Sequence, residues 1–218
     1  ASQLLNLGVP LLSSWQAADL VDNHDPMYFG RPGIYGQRCA NRILYEADHV
    51  FSIGTRMTPW MIGHGGLRPE QKLLLVEVDE NEAKRFPDAE WVREDAGEFI
   101  RKLLGSRRNA EDGYLMQAGC DDWLNQCRQW KEQYPWIESP THDDANGYIN
   151  SYRFIQRLEP LLRPDEIIVT DNGSLMCPIF QALHVKPPQR VMTGGCLGEI
   201  GCGLPGAIGA SFARDKGE

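Results

Sequence analysis

The residues best suited to chemistry lie in a glycine-rich segment near the carboxyl end of the chain. Residues 194–210 include seven glycines. Glycine has no side chain and tolerates positive φ, so the first half of this segment lets the backbone approach a ligand closely. The second half combines Leu204 and Ile208 with small residues, which predicts a helix packed tightly on its neighbours. A purely structural interpretation of the whole segment, as a tightly packed glycine helix, stays open.

A second candidate is the turn at residues 170–174, Thr-Asp-Asn-Gly-Ser, which directly follows a predicted buried strand. In open α/β sheets, ligands bind at the carboxyl ends of strands, and free N–H groups at the start of the next helix attract phosphate. Gly173 and Ser174 are therefore candidates for a diphosphate cradle. A plain strand-to-helix turn capped by Asp171 is the structural alternative.

The elements that must position these segments follow from hydrophobic periodicity. Short apolar runs predict strands, and amphipathic stretches predict helices. The strands are predicted at residues 9–12, 49–53, 72–78, 166–170 and 189–193, and the helices at 41–46, 96–104 and 152–162. This alternation predicts an α/β fold with parallel, doubly wound, Rossmann-like sheets in two consecutive domains, each incomplete.

Residues 106–150 differ in character and predict a helical connector. The segment is charged, and its aromatic residues are spaced for a helix that lies on another element: Trp123, Trp130, Tyr134 and Trp136. We interpret these aromatic residues as packing residues.

Composition excludes several classes of function. The formal net charge of -8 argues against a nucleic-acid or anionic-membrane surface. No apolar run approaches the roughly 20 residues of a membrane span, and the first residues lack the features of a signal peptide, so we expect a cytoplasmic protein. The six cysteines form no CxxC pair, which predicts reduced thiols, mostly buried, and no zinc or disulfide framework.

The turn and the glycine-rich segment together carry a family resemblance. A strand ending in Thr170-Asp171-x-Gly173, followed by the run of residues 194–210, resembles the opening half of the diphosphate-binding domain of thiamine-diphosphate-dependent enzymes of the acetolactate synthase group. The first hundred residues resemble the central domain of the same enzymes. The short matches occur in the same order as in the family, at residues 29–36, 40–41, 47–48, 53–56, 78–79 and 95–96.

The resemblance implies a division of the chain into three parts. Residues 1–105 correspond to the central nucleotide-binding-like domain without its first strand and helix. Residues 106–150 are the connector, and residues 151–218 are the N-terminal half of the thiamine-diphosphate-binding domain. The chain then corresponds to a fragment of a longer enzyme, and we expect it to be inactive by itself.

The resemblance also implies roles for individual residues at the thiamine diphosphate. Gly173 and Ser174 lie near its diphosphate. The carbonyl of Gly198 accepts a hydrogen bond from the aminopyrimidine, and Ile200 is the apolar residue that holds the cofactor in its bent form. The ligands of the accompanying Mg²⁺ are expected beyond residue 218, so no metal ligand is predicted within this chain.

In the central domain, the resemblance implies a site for FAD or ADP. Gly54 and Arg56 face the diphosphate of the nucleotide, and Asp79 its adenosine end. A surface ion pair is the structural alternative for Arg56.

The implied reaction is decarboxylation of a 2-oxo acid such as pyruvate, with transfer of the acyl carbanion to an acceptor carbonyl. The implied assembly is a homodimer or homotetramer, because the family takes a glutamate from a neighbouring subunit. The acceptor is open, since Gly173-Ser174-Leu175-Met176 stands where many acetolactate synthases have Gly-Gln-His-Gln. Two alternatives also stay open: a non-catalytic nucleotide-binding or regulatory module, and an NAD-dependent oxidoreductase, for which only a partial glycine fingerprint is found.

Overall fold

The strands of the computed structural model form three parallel sheets in the part of the chain that it describes, residues 2–107, 120–194 and 198–215. The smallest sheet pairs β1 (Leu11–Leu12) with β2 (Tyr28–Gly30), the largest has the order β3 (His49–Ile53), β4 (Lys72–Val76) and β5 (Glu90–Val92), and the third pairs β6 (Ile167–Thr170) with β7 (Arg190–Thr193). Every pairing is parallel. This confirms the predicted α/β class with parallel sheets.

Helices follow or separate most of these strands. They are α1 (Arg38–Glu46), α2 (Pro59–Ile62), α3 (Glu80–Ala83), α4 (Ala96–Arg107), α5 (Cys120–Gln133), α6 (Ser151–Leu158), α7 (Met176–Ala182) and α8 (Gly203–Asp215), with short 3-10 helices at Ser2–Leu7, Trp15–Ala17 and Glu159–Leu161. None of the helices in the described residues is both long enough and apolar enough to cross a membrane.

Two helices differ from the predictions made from the sequence. The helix predicted at residues 152–162 ends at Leu158 and continues as a 3-10 turn that contains Pro160, because proline has no N–H to donate within a helix. The sequence patterns did not predict α7, which buries Ile179 and Phe180. It has only seven residues, too few for a periodic pattern to be recognised.

The largest sheet, β3-β4-β5, belongs to residues 2–105, which we call the first unit; residues 151–215 are the second unit. Leu73 and Leu75 on β4 are buried against Met57 and Ala83. The central strand is apolar along its length because helices and loops cover both faces of a parallel sheet.

Helix α5 packs against α1, as the aromatic spacing predicted. Cys39, Ile43, Leu124 and Cys127 are buried between them, and Trp123, Trp130 and Tyr134 lie at the margin. Burial raises the pKa of Cys39 to about 11 and that of Cys127 to about 12, so both remain neutral thiols. Residues 108–119 of the predicted connector, and Cys196 of the glycine-rich segment, lie outside the described residues.

The first and second units are joined by the buried side chain of Arg31. Its Nε donates to the carbonyl of Phe180 at 2.7 Å and its Nη2 to the carbonyl of Leu183 at 2.9 Å. On the first unit, Nη1 donates to Asn23 Oδ1 at 2.7 Å and to the Tyr28 hydroxyl at 3.1 Å. The guanidinium thereby fixes the end of α7, and with it the second unit, to the segment that follows β1.

Backbone contacts reinforce this junction. The N–H of Asn23 donates to the carbonyl of Val185, whose own N–H donates to Asn23 Oδ1. Asp19 accepts hydrogen bonds from the N–H of Val191 at 3.0 Å and from Arg190 at 2.7 Å. These contacts hold β7 beside the first unit.

Candidate functional site

The turn after β6 and the glycine-rich loop meet at the carboxylate of Asp171. Both of its oxygens lie 3.0 Å from the backbone N of Gly201. The N–H of Asn172 donates to the same carboxylate at 2.8 Å, and the Cys202 thiol lies 3.4 Å from it. The Asn172 side chain adds a bond from Nδ2 to the carbonyl of Glu199 at 2.5 Å. The two segments singled out in the sequence therefore form one structural unit.

The Asp171 carboxyl has a lowered pKa. Desolvation opposes its ionisation, but hydrogen bonds from the backbone of Asn172, the Cys202 thiol and the backbone of Gly201 and Gly203 outweigh that cost and hold the pKa below the usual range. The ionised Asp171 carboxylate thus holds the glycine-rich loop at Gly201.

Helix α8 begins in direct contact with the same turn. A Cβ added to Gly203 would lie 2.9 Å from the Asp171 Cβ and 3.1 Å from the Asp171 backbone N. One turn later, a Cβ on Gly206 would lie 3.2 Å from Val169 Cγ1 on β6. The small residues of α8 therefore permit close packing on β6, in agreement with the prediction of a tightly packed helix.

Three glycines of the turn and the loop border open space. Gly173, Gly198 and Gly201 have φ values of 105°, 73° and 94°, in the region that favours glycine. A Cβ on any of the three would meet no heavy atom within 4 Å. Among the described residues, the buried Asn172 Oδ1 has no hydrogen-bond partner, so this acceptor remains unused. These features fit a cradle for a polar ligand.

Ile200 projects from the loop into solvent. Its exposed fraction is 84%, so it is not a core residue of this chain. An exposed apolar side chain two residues after Gly198 is consistent with contact to a bound ligand. Ser174, in the adjacent turn, is also exposed.

The residues predicted for a nucleotide lie at the carboxyl ends of β3 and β4. Gly54 follows β3 directly, with φ of 57°, and a Cβ there would lie 2.7 Å from the Ala96 Cβ. Asp79 caps α3 by accepting a hydrogen bond from the N–H of Asn81 at 2.9 Å. Arg56 is largely exposed, with its Nε 3.6 Å from Glu82 Oε1 on α3. Each of the three residues therefore has a structural role in this chain: Gly54 allows close packing on Ala96, Arg56 pairs with Glu82, and Asp79 caps α3.

A separate open cleft of about 600 Å³ lies between α1 and residues 61–71. Gly54, Arg56 and Asp79 do not line it. Its two arginines are already paired, Arg38 with Glu138 at 2.6 Å and Arg42 with Glu46 at 2.7 Å. The cleft therefore offers little free positive charge for a nucleotide diphosphate.

Sequence reasoning did not assign Asp171 and Asn172 to the site. Their position at the end of a buried strand was the available signal, and it supported only a capping role for Asp171. The contact with Gly201, thirty residues later, depends on how the loop returns to β6.

Comparison with known proteins gives a consistent picture. Residues 4–103 match the family described as "Thiamine pyrophosphate enzyme, central domain". The chain is 24% identical over 220 residues to the acetolactate synthase large subunit of Haemophilus influenzae, covering 99% of this chain and 37% of that protein. It is 25% identical over 215 residues to the acetolactate synthase of Mycobacterium leprae, covering 97% and 33%.

A pyruvate oxidase of Lactiplantibacillus plantarum is 25% identical over 207 residues, covering 94% of this chain and 33% of the relative. The chain thus spans about a third of the length of the curated relatives that it matches.

Proposed function

Because residues 4–103 match the family of thiamine pyrophosphate enzyme central domains, we propose that this chain is part of such an enzyme and that its second unit forms one wall of a thiamine-diphosphate site. The protein that carries this chain decarboxylates a 2-oxo acid such as pyruvate and transfers the acyl group to an acceptor carbonyl. The names of the relatives, acetolactate synthases and a pyruvate oxidase, support this class of reaction.

The observation that carries the proposal is the unit joined by Asp171. It lies at the carboxyl end of the parallel strand β6, where ligands bind in open α/β sheets. It presents three glycines with positive φ and open space beside them, together with the unpartnered Asn172 Oδ1.

Thiamine diphosphate, when bound, supplies the carbon nucleophile and electron sink that decarboxylation requires. In this proposal Gly173 and Ser174 lie beside its diphosphate, and the Gly198 carbonyl accepts a hydrogen bond from its aminopyrimidine. Ile200 supports the bent shape of the cofactor. Asp171 positions the loop that carries Gly198 and Ile200. Mg²⁺ would neutralise the diphosphate through ligands beyond residue 218, and a homodimer or homotetramer would complete the site.

The test is cofactor binding by the protein that carries this chain. Thiamine diphosphate is titrated with Mg²⁺ present, by calorimetry, into the unchanged protein, Asp171→Ala and Asp88→Ala. We expect Asp171→Ala to weaken binding by about tenfold or more, because the loop that carries Gly198 and Ile200 loses the carboxylate that positions it. Asp88 is an exposed control.

Unchanged affinity in a folded Asp171→Ala protein would contradict the assigned role of this unit. Binding of NAD without binding of thiamine diphosphate would favour the oxidoreductase alternative. Binding of adenine nucleotide alone would favour the non-catalytic module.

We further propose that Gly54, Arg56 and Asp79 contact FAD or ADP. Their position at the carboxyl ends of adjacent parallel strands supports this assignment. Arg56→Ala should weaken nucleotide binding by about 1–3 kcal/mol through loss of a charge-assisted contact. Arg101→Ala, which also removes an exposed arginine paired with a glutamate, is the control. Equal affinity of both variants would assign Arg56 to its ion pair with Glu82 alone.

A further inference from the structure

A cluster of three metal-binding side chains lies at the junction of the two units, away from Asp171 and from Arg56. His24 belongs to the segment between β1 and β2, Glu159 to the 3-10 turn after α6, and His184 to the segment that follows α7. One ligand atom from each of the three lies within 4.8 Å of the other two.

The spacing of these atoms suits a tetrahedral ion. His24 Nε2 is 3.7 Å from Glu159 Oε1, and His184 Nδ1 is 3.1 Å from Glu159 Oε2. Two atoms that are each about 2.1 Å from a tetrahedral Zn²⁺ are about 3.4 Å apart. The two separations involve different oxygens of the Glu159 carboxylate, and the His24 and His184 rings are stacked. Binding one ion therefore requires the carboxylate and the exposed His24 ring to rotate, so that all three ligand atoms face it.

The surrounding contacts hold the ligands in place. The backbone N–H of His184 donates to Glu159 Oε2 at 3.0 Å, which orients the carboxylate. The His184 ring is stacked between those of His24, at 4.7 Å, and Trp136, at 4.1 Å. Glu159 and His184, held by this packing and hydrogen bonding, therefore lose little freedom when a metal binds. The His24 ring, which is more exposed, must turn out of the stack to direct its nitrogen at the ion.

The site is also accessible. The His24 side chain is 52% exposed, while those of Glu159 and His184 are 24% and 31% exposed. An ion can therefore enter past His24, and a water molecule can occupy a remaining coordination position.

We propose that His24, Glu159 and His184 bind one divalent transition-metal ion of the Zn²⁺ class, with water completing its coordination. Two imidazoles and one carboxylate are ligands that Zn²⁺ accepts in proteins. Because His24 comes from the first unit and the other two ligands from the second, the bound ion stabilises the junction that Arg31 also holds. This site is independent of the thiamine-diphosphate proposal.

The competing explanation is an ion pair between Glu159 and the two histidines without any metal. It accounts for the same distances, so binding must be measured. Zn²⁺ is titrated by calorimetry into the 218-residue chain after treatment with EDTA. We expect one ion per chain, with a dissociation constant of about 10 µM or below and a loss of affinity of about tenfold or more in His24→Ala. His64→Ala, which removes an exposed histidine from a loop of the first unit, should bind as the unchanged chain does.

Two further measurements identify the ligands. Co²⁺ in place of Zn²⁺ should show the visible absorption of a tetrahedral site, and Glu159→Gln should abolish it. Zn²⁺ should raise the melting temperature of the unchanged chain and of His64→Ala but not that of His24→Ala, since an ion that binds the folded state stabilises it.

Three results would each overturn the proposal. They are the absence of saturable binding at one ion per chain, an affinity in His24→Ala and Glu159→Gln as high as that of the unchanged chain, and binding that is lost only when the cysteine thiols are blocked. If His24→Ala fails to fold, Glu159→Gln decides the matter, because the amide keeps an oxygen acceptor for the His184 N–H.

Discussion

Asp171 carries the most consequential single interaction in the candidate site. Its carboxylate accepts a hydrogen bond from the backbone of Gly201. Gly203 lies against the backbone of Asp171. A side chain at the end of one strand thereby determines the position of a loop thirty residues away. The loop bears Gly198 and Ile200, so the proposed cofactor contacts depend on this one carboxylate.

Acid should weaken this contact in a defined pH range. Because the folded-state pKa of Asp171 lies below its ordinary value, the stabilisation is fully present above the unfolded-state pKa of about 3.9. It is lost as the pH falls through the folded-state pKa. We expect the difference in melting temperature between the unchanged chain and Asp171→Asn to be constant above about pH 5 and to shrink as the pH falls below the unfolded-state pKa. Asp88→Asn should show no such trend, and a constant difference for Asp171→Asn would contradict the role of its charge.

Ile200 permits a clean separation of stability from function. Since its side chain is 84% exposed, Ile200→Ala should change the unfolding free energy by no more than about 0.5 kcal/mol. Turnover by the protein that carries this chain should nevertheless fall, because the side chain acts mainly in reaching the transition state. Ile200→Leu preserves volume and should have a mild effect. An Ala variant that melts early but turns over normally would refute the role of Ile200 as a support for the cofactor.

Helix α8 shows how small residues allow one element to reach another. Gly203 is buried against the Asp171 turn, and Gly206 lies next to Val169 on β6. The helix can approach the strand because side chains are absent at the points of contact.

A matched pair of substitutions tests this packing. Gly203→Ala should destabilise the chain by about 1–3 kcal/mol, because its Cβ would overlap the backbone of Asp171. Gly209→Ala lies on the same helix with no heavy atom within 4 Å of the added Cβ. It should be neutral or stabilising by about 0.5–1 kcal/mol, since alanine is the better helix former. Denaturant unfolding measures both, and similar values for the two variants would show that the contact is unimportant.

The two units of the molecule are held together by a buried positive charge with neutral partners. Arg31 is 1% exposed, and its acceptors among the described residues are two carbonyls, one amide oxygen and one hydroxyl. Its guanidinium also lies over the ring of Trp136, 5.0 Å from the centroid. Burial lowers the pKa of Arg31, but guanidinium remains charged in proteins, so these contacts must offset its desolvation.

Arg31→Lys should therefore be costly despite the retained charge. Lysine cannot reach acceptors on both units with the planar fork of arginine. Each charge-assisted bond contributes about 1.5–3 kcal/mol, so we expect a loss of about 3 kcal/mol or more in the unfolding free energy. Arg101→Lys, at an exposed ion pair, should cost less than about 1 kcal/mol. Equal unfolding free energies for the two variants would show that the junction does not depend on Arg31.

Local pattern alone was sufficient for much of the fold. The apolar run at residues 49–53 matches β3 at both ends, and the predicted strands at residues 72–78, 166–170 and 189–193 match β4, β6 and β7 within two residues. These strands are short runs rich in apolar and β-branched residues, so their composition indicates their structure, although β3, β6 and β7 are only partly buried in this chain. The glycine-rich run and the turn after β6 likewise stood out in the sequence as the two segments that Asp171 joins in the structure.

The tertiary structure decided which side chains those segments bring together. The bond between Asp171 and Gly201 and the carbonyl partners of Arg31 join residues far apart in sequence. So do His24, Glu159 and His184, which three separate segments contribute. The exposure of Ile200 also depends on how the surrounding elements pack. A hydrophobic pattern records whether a residue faces the core, but it carries no information about which distant polar group will lie opposite, because that depends on how packed elements cross.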